Sequence, residues 1–381
     1  MQINSKSIVI ASQQDWGEML ISKHHYAITF AELGYKVYYL VTPARRNSFG
    51  KEEINLKRIQ DYPNITIIYT KVFFPYTIRF KSKYLYALLI KKHLKNVFNS
   101  VGEIPFLVVS FDLSLALPLA CFPKECKKVA FAADNTVGQN FIAKADCLVS
   151  ITQEILNHFI NPAIPKLLLN HGVKEYFVNH QLWIKPKTFK IGLSGNFLRP
   201  DIDRKTLLQI IQAFKEVEFH FWGSYKKTVN SLGFIDDADT DNFIYALEKL
   251  DNVILYGVTQ QQELALGLYK MDAYLICYDV HLDQSKGTNY HKIMEYLACG
   301  RVIISNNVSR YAGTDLVEMC QSRESNNEMF EMIKKIIDNI ENYNSKENCN
   351  KRINFALQNT YKSQAIKLLD FVNNSHTQVH H

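Results

Sequence analysis

Short apolar runs alternate with longer amphipathic stretches along the chain, and this pattern predicts an α/β protein. Near the N-terminus, the apolar runs Ser7–Ala11 and Lys36–Val41 flank Ser22–Leu33, a stretch of helical periodicity with Ser22 as its predicted N-cap and Gly34 as its stop. The order strand, helix, strand is typical of a parallel sheet. Further predicted strands in this half are Ile65–Thr70, Phe106–Phe111, Lys128–Ala132 and Cys147–Thr152.

A second series of strands and helices follows a plausible linker around residues 183–187. Its predicted elements are the strands Phe189–Ser194, Phe219–Trp222, Val253–Tyr256, Ala273–Tyr278 and Arg301–Ser305, and the helices Lys205–Glu216, Gln260–Lys270, Asn326–Asn342 and Tyr361–Asn373. We therefore expect two Rossmann-like, doubly wound α/β domains facing a cleft, over residues 1–183 and 184–355, with a C-terminal helix and tail over 356–381. Ligands of such sheets bind at the carboxyl ends of the strands.

The stretch Lys286–Gly300 predicts a polar loop and one helix between two strands. Thr288 or Asn289 is the natural N-cap, and the glycine at the end of the stretch stops the helix. Free amides at a helix N-terminus, with Lys292 beside them, are typical of an anion site. Glu295 shares the helical face of Lys292 and could accept hydrogen bonds from sugar hydroxyls, although an ion pair with Lys292 is the alternative. The stretch therefore predicts a site for a nucleotide diphosphate.

Composition places the chain among ordinary globular proteins. Of its 381 residues, 47% are hydrophobic and 21% charged, and its length suits two cores. Its seven cysteines include no CxxC pair, which favours reduced thiols in a cytoplasm and argues against disulfides or a zinc site. No run approaches the roughly 20 apolar residues that cross a bilayer. We expect a protein that is soluble or peripheral to a membrane, and we expect no metal.

The positive charge is concentrated in the first half of the chain. Residues 1–180 hold 21 Lys and Arg against 13 Asp and Glu, whereas residues 181–381 hold 23 against 24. Much of the excess lies in Phe73–Phe98, where basic and aromatic residues are mixed. This run is either a solvated helix face or a surface for an anionic membrane. No recognition motif accompanies the charge, so nucleic acid is not expected as a partner.

Several short motifs, taken in order, resemble those of GT-B-fold glycosyltransferases. They are Ser22–Ala27, Lys144–Asp146 and His171–Val173 in the first half, and Gly192–Gly195, Phe221–Gly223, Asn252–Gly257, Met271–Asp272 and Lys292–Gly300 in the second. The resemblance spans residues 5–310. It implies a C-terminal domain that binds a nucleotide-activated sugar, an N-terminal domain that binds the acceptor, and a C-terminal helix that crosses back onto the N-terminal domain. It implies no cofactor besides the nucleoside-diphosphate sugar that serves as donor.

One position departs from the retaining members of these enzymes. Many of them carry a glutamate eight positions before the residue that matches Glu295, and here that position is Gly287. The chain is also similar to the membrane-associated glucuronosyltransferase of xanthan assembly, an inverting enzyme. That similarity implies a catalytic base at Asp134 and a diphosphate-holding lysine at Lys292. An inverting transfer needs one general base near the acceptor hydroxyl; a helix or turn cap is the alternative role of Asp134.

Other candidate residues follow the predicted strands. Asp15, His24 and Asp112 are acceptor-side candidates, with turn capping and ordinary surface positions as alternatives. Arg199 and Lys205 lie six residues apart in the first loop of the second series, a spacing that many of these enzymes use for diphosphate contacts. Gly195 would let the backbone approach a phosphate closely.

The expected function is glycosyl transfer. The protein would be cytoplasmic, free or peripheral on the inner face of the membrane, and would move a sugar to a glycan or lipid-linked acceptor in surface polysaccharide or capsule synthesis. An inverting mechanism with an Asp base is favoured over a retaining one. The alternatives are a nucleotide-sugar 2-epimerase, which needs no acceptor, and a non-catalytic binder of glycans or nucleotides.

Overall fold

The computed structural model describes residues 3–17, 20–133, 138–161, 163–226, 238–283 and 286–374. The strands are β1 Ile3–Ser12, β2 Lys36–Val41, β3 Glu53–Arg58, β4 Ile65–Lys71, β5 Ile104–Ser110, β6 Lys127–Ala132, β7 Cys147–Ser150, β8 Lys166–Leu168, β9 Phe189–Ser194, β10 Val217–Trp222, β11 Val253–Gly257, β12 Ala273–Ile276, β13 Val302–Ser305 and β14 Glu318–Met319. The helices are α1 Ser22–Glu32, α2 Ile78–Lys81, α3 Lys83–Val101, α4 Gln153–His158, α5 Arg204–Ala213, α6 Ala238–Glu248, α7 Gln261–Leu268, α8 His291–Cys299, α9 Met329–Asp338, α10 Ile340–Tyr343, α11 Lys346–Leu357 and α12 Tyr361–Asn374.

The first compact unit comprises residues 1–171 and 361–381. Its sheet has the order β3-β4-β2-β1-β5-β6-β7-β8, and every pairing is parallel except that of β3 with β4. The strand order reverses between β1 and β5, so the loops after Ser12 and Ser110 flank a topological switch point, where ligands of such sheets bind. The C-terminal α12 belongs to this unit, with the Tyr361 ring 4.7 Å from the His25 ring on α1.

The second unit comprises residues 172–360. Its sheet has the order β11-β10-β9-β12-β13-β14, and all pairings are parallel. The strand order reverses between β9 and β12, which places the switch point at the ends of these two strands. The sequence-based expectation of two Rossmann-like, doubly wound units is confirmed.

The division between the units falls earlier than the predicted boundary at residue 183. Residues 172–183 pack on the second unit, because Phe177 is buried in its core and the Asn179 N–H donates to the Ala298 carbonyl at 3.0 Å. The second change of unit falls at Tyr361, at the start of α12, rather than at residue 356.

Two predicted N-caps and one predicted helix were wrong. The N-cap of α1 is Ile21 rather than Ser22, and the N-cap of α8 is Tyr290 rather than Thr288 or Asn289. The carbonyl of Thr288 accepts from the Arg310 N–H at 3.1 Å, a bond that holds this segment outside the helix. The single helix predicted over 326–342 is two, α9 and α10, which meet at Asn339.

Over the residues that the structure describes, no helix is both long and apolar enough to cross a membrane. All seven cysteines are buried, and all are free thiols.

Candidate functional site

Lys292 lies at the switch point of the second unit, in the first turn of α8. Its ammonium group donates a hydrogen bond to the carbonyl of Ser194, the last residue of β9, and lies 5.0 Å from the centroid of the Tyr278 ring. Burial lowers the pKa of Lys292, but the neighbouring Tyr278, Tyr296 and Glu295 outweigh it and leave the pKa raised. A permanent positive charge is thus fixed beside the N-terminus of α8, which has no side-chain cap. Both features favour an anion.

Gly195 follows β9 directly, and its lack of a side chain lets the backbone lie close to the ammonium group of Lys292. Its φ is +151°, and a Cβ built at this position would lie 2.7 Å from Nζ of Lys292. Any larger residue would displace the lysine. The hydroxyl of Tyr296 on α8 binds both the N–H of Ser194, at 2.7 Å, and its Oγ, at 2.9 Å. The end of β9 is therefore anchored to α8, and the lysine has one defined position.

Glu295 is buried one turn further along α8. Burial raises its pKa to about 7, although Lys292 opposes the shift. Its Oε1 lies 3.7 Å from Nδ1 of His291, and burial together with Lys292 lowers the pKa of that histidine to about 4. The histidine is therefore neutral at pH 7. A carboxyl group with a pKa near 7 gains from a hydrogen-bond donor such as a sugar hydroxyl, because the bond stabilises its charged form.

Arg199 and Lys205 lie in and after the loop that follows β9. Arg199 forms a bidentate ion pair through Nε and Nη2 with Asp201, whose side chain is buried. That pair leaves Nη1 outside it, and the arginine side chain is 34% exposed. Lys205 is exposed in the first turn of α5. The structure thus presents one partly neutralised cation on this loop and one exposed cation at the start of the helix that follows it.

Gly287 occupies a position that cannot carry a side chain without strain. Its φ is +59°, and a Cβ would lie 2.5 Å from the carbonyl oxygen of Asn307. Its N–H donates to Asp283 Oδ2 at 2.6 Å, and its carbonyl accepts from the guanidinium of Arg323. The backbone geometry therefore excludes a glutamate at this position, where many retaining enzymes have one. Thr288 and Asn289 follow in the same segment, half-buried and buried respectively.

Asp112 follows β5 at the switch point of the first unit. It is fully buried. Its Oδ1 accepts from the N–H of Ser114 at 3.1 Å and from the hydroxyl of the same residue at 2.5 Å, and its Oδ2 accepts from the N–H of Leu117 at 2.7 Å. Both oxygens are thus engaged in holding the turn, which is the capping alternative raised by the sequence.

Asp15 and His24 lie at the same switch point, after β1. Asp15 is exposed. His24 is buried: Nδ1 accepts from the Ile21 N–H at 3.0 Å, and Nε2 lies 3.0 Å from the Asp15 carbonyl and 2.8 Å from the Tyr39 hydroxyl. Burial lowers the pKa of His24 to about 4, so the ring is neutral at pH 7. Its Nδ1 caps α1, the role that was predicted for Ser22. Asp134, the predicted base, lies outside the described residues.

The described ranges contain no group of three or more His, Cys, Asp or Glu residues with the arrangement of a metal site.

The chain is similar over nearly its whole length to solved glycosyltransferase structures. Sucrose-phosphate synthase from Thermosynechococcus elongatus has a TM-score of 0.67 and 12% identity, over 98% of this chain and 99% of that one. A glycosyltransferase from Rickettsia africae has a TM-score of 0.65 and 12% identity, over 98% and 100%. Anabaena HepE, solved with UDP and glucose, has a TM-score of 0.63 and 12% identity, over 96% and 100%. The protein therefore has the GT-B fold.

No family model and no curated protein matches the chain.

Three residues of the site carried no functional signal in the sequence. In the sequence, Tyr278 is only the end of an apolar run, and Asp201 and Asp283 are acidic residues of polar loops. The spacing of Arg199 and Asp201, two apart in one loop, could have suggested their ion pair. The hydrogen bonds of Asp283 to Gly287 and to the Tyr290 hydroxyl depend on a tight turn that local sequence does not specify.

Proposed function

We propose that the protein is a glycosyltransferase that moves a sugar from a nucleoside-diphosphate sugar to an acceptor hydroxyl. The observation that carries the proposal is the fixed ammonium group of Lys292 beside the uncapped N-terminus of α8, at the switch point of a GT-B unit. Two proteins of similar structure support the donor class: HepE was solved with UDP, and trehalose-6-phosphate synthase from E. coli was solved with UDP-2-fluoro glucose.

The donor side of the reaction needs charge stabilisation more than covalent chemistry. As the bond from the sugar to the diphosphate breaks, negative charge develops on the departing oxygen. Lys292 and the amides at the start of α8 would stabilise that charge, with Nη1 of Arg199 and the ammonium group of Lys205 as further contacts. Gly195 would let the diphosphate approach the backbone. Glu295 would accept hydrogen bonds from the ribose hydroxyls.

The acceptor side needs a general base, and we propose Asp134. Gly287 supports an inverting reaction, because its backbone leaves no room for the carboxylate that many retaining enzymes have at this position. Of the other acidic candidates, Asp112 has both oxygens engaged in its own turn. Asp15 is exposed and stays a candidate acceptor contact, with His24 behind it as the group that orients its carbonyl.

We expect Asp134→Asn to lower transfer at least a hundredfold while the protein stays folded, because a positioned base contributes about 10²–10⁴ in rate. The measurement is release of nucleoside diphosphate from a panel of nucleotide sugars in the presence of extracted lipid-linked glycans. Asp112→Asn is the matched control. It should instead lower the melting temperature, because an amide NH₂ would face a donor now bound by a carboxylate oxygen.

Unchanged turnover in Asp134→Asn would contradict its role as base. Conversion of one nucleotide sugar into another without any acceptor, followed by NMR, would contradict sugar transfer and indicate an isomerase.

We further propose that the acceptor is a lipid-linked glycan of surface polysaccharide synthesis, met at the inner face of a membrane. The surface around α2 and the first half of α3 supports this. Phe80 and Tyr84 are 78% and 77% exposed, and Leu88 is 46% exposed. The basic residues of the same segment are Arg79, Lys81, Lys83, Lys91, Lys92 and Lys95. Exposed aromatic rings among cations are typical of surfaces that lie on anionic lipid.

We expect the protein to sediment with phosphatidylglycerol vesicles and not with phosphatidylcholine vesicles, and 0.5 M salt should weaken the binding. The double variant Phe80→Ala/Tyr84→Ala should bind about tenfold more weakly, because it removes apolar area from the interface. Tyr245→Ala is the matched control, since Tyr245 is also exposed and lies beside a lysine, but in the second unit. Equal losses in the double variant and the control would contradict this surface.

A further inference from the structure

A pocket of about 450 Å³ opens in the first unit, at the sheet edge opposite the candidate acceptor residues. Ile104, the first residue of β5, lines it, whereas Asp15 and Asp112 follow the carboxyl ends of β1 and β5. In a parallel sheet these are opposite edges. The volume lies within the roughly 300–1,000 Å³ of ligand pockets. Neither transfer chemistry nor the donor site uses this pocket.

The floor of the pocket is apolar. Leu94 and Phe98 on α3 and Phe122 on the segment before β6 are each at most 4% exposed and line it. Cys121 lines it as well, and burial raises its pKa to about 11, although Lys91 opposes the shift. At neutral pH this side chain is therefore an uncharged thiol, which behaves as a small apolar group.

The rim of the pocket is cationic. Lys91, Lys95 and Lys124 line it and are exposed, and no acidic residue is among the lining residues. None of the three makes an ion pair within the described part of the chain, although Glu125 neighbours Lys124 in sequence. Three unneutralised ammonium groups around an apolar hollow would attract a negative charge that carries a hydrocarbon tail.

An exposed apolar residue connects the pocket to the membrane surface proposed above. Leu88 lies three residues before Lys91 and seven before Lys95, so all three share one side of α3. A ligand whose tail entered the pocket could thus come from a lipid layer that contacts α2 and α3.

We propose that this pocket binds an anionic amphiphile, with its alkyl chain on the floor formed by Leu94, Phe98 and Phe122 and its phosphate on the three lysines. The pocket is a binding site separate from the transfer reaction, and it does not depend on the donor chemistry.

The test uses the full chain in solution, without vesicles and without a nucleotide sugar. Calorimetry should show saturable binding of one decyl phosphate, below its micelle-forming concentration. Inorganic phosphate, which has the charge alone, and decyl maltoside, which has the tail alone, should bind at least tenfold more weakly. Binding of inorganic phosphate as tight as that of decyl phosphate would overturn the proposal in favour of a simple anion site. Equal binding of decyl maltoside would overturn it as well.

Two variants locate the binding. Lys95→Glu/Lys124→Glu should weaken binding of decyl phosphate at least about tenfold, because each basic residue near an anionic lipid contributes roughly 1 kcal/mol and each is here reversed. Ala120→Trp keeps the lysines but fills the mouth from an exposed position, and should abolish binding. Lys57→Glu, an exposed lysine on β3, is the control and should bind like the unchanged protein. Unchanged binding in both pocket variants would overturn the site.

Discussion

Lys292→Ala should lower sugar transfer about a thousandfold and weaken binding of a nucleoside diphosphate far more than that of a nucleoside. The side chain supplies a cation that the Ser194 carbonyl and the Tyr278 ring hold in one place. A charge that is fixed before the reaction costs no reorganisation when the diphosphate departs, and removal of one such group typically costs about 10²–10³ in rate. Weaker binding of the donor adds to that loss.

Calorimetry with a nucleoside, its monophosphate and its diphosphate would separate these contributions. Lys215→Ala is the matched control: Lys215 is exposed and lies just before β10, at the amino edge of the same sheet. It removes the same charge from the same unit but away from the switch point, so both transfer and binding should be unchanged. If Lys292→Ala weakened nucleoside and diphosphate binding equally, its proposed role at the diphosphate would be wrong.

Gly287→Ala should lower the stability of the second unit by about 3 kcal/mol, and Gly287→Glu by at least as much. The left-handed φ alone costs a side chain roughly 1–2 kcal/mol. The added Cβ would also lie 2.5 Å from the Asn307 carbonyl oxygen, which is backbone and cannot turn away. Restoring the glutamate of the retaining pattern would therefore unfold this segment rather than create a second catalytic carboxylate.

The variant Gly313→Ala separates the cost of backbone strain from the cost of the steric clash. Gly313 also has a positive φ, +73°, but nothing lies within 4 Å of the added Cβ, so only the strain of about 1 kcal/mol remains. Urea unfolding should be followed by tryptophan fluorescence in a Trp16→Phe background. The two other tryptophans, Trp183 and Trp222, then report the second unit alone, which matters because two units need not unfold together. Equal losses at Gly287 and Gly313 would contradict the clash.

Elements with strong periodicity were predicted well from local pattern. The strands Lys36–Val41 and Phe189–Ser194 match the structure at both ends, because each is a mostly buried run that polar residues or glycine interrupt sharply. Several other elements were missed, among them β3 and α11. β3 is an antiparallel edge strand whose residues are mostly exposed, so it lacks an apolar run, and α11 is rich in Asn and Lys. Their positions depend on pairing with β4 and on packing against α8.

The candidate site likewise has features that the local sequence predicts and features that only the tertiary structure determines. The sequence by itself determined that a helix with Lys292 and Glu295 follows a strand in a second Rossmann-like unit, because strand and helix periods are local properties. The tertiary structure alone decided that the ammonium group of Lys292 is fixed on the end of β9 and that no side chain fits at Gly287. Both depend on the sheet order, which places β12 between β9 and β13 and so brings together loops that are far apart in sequence.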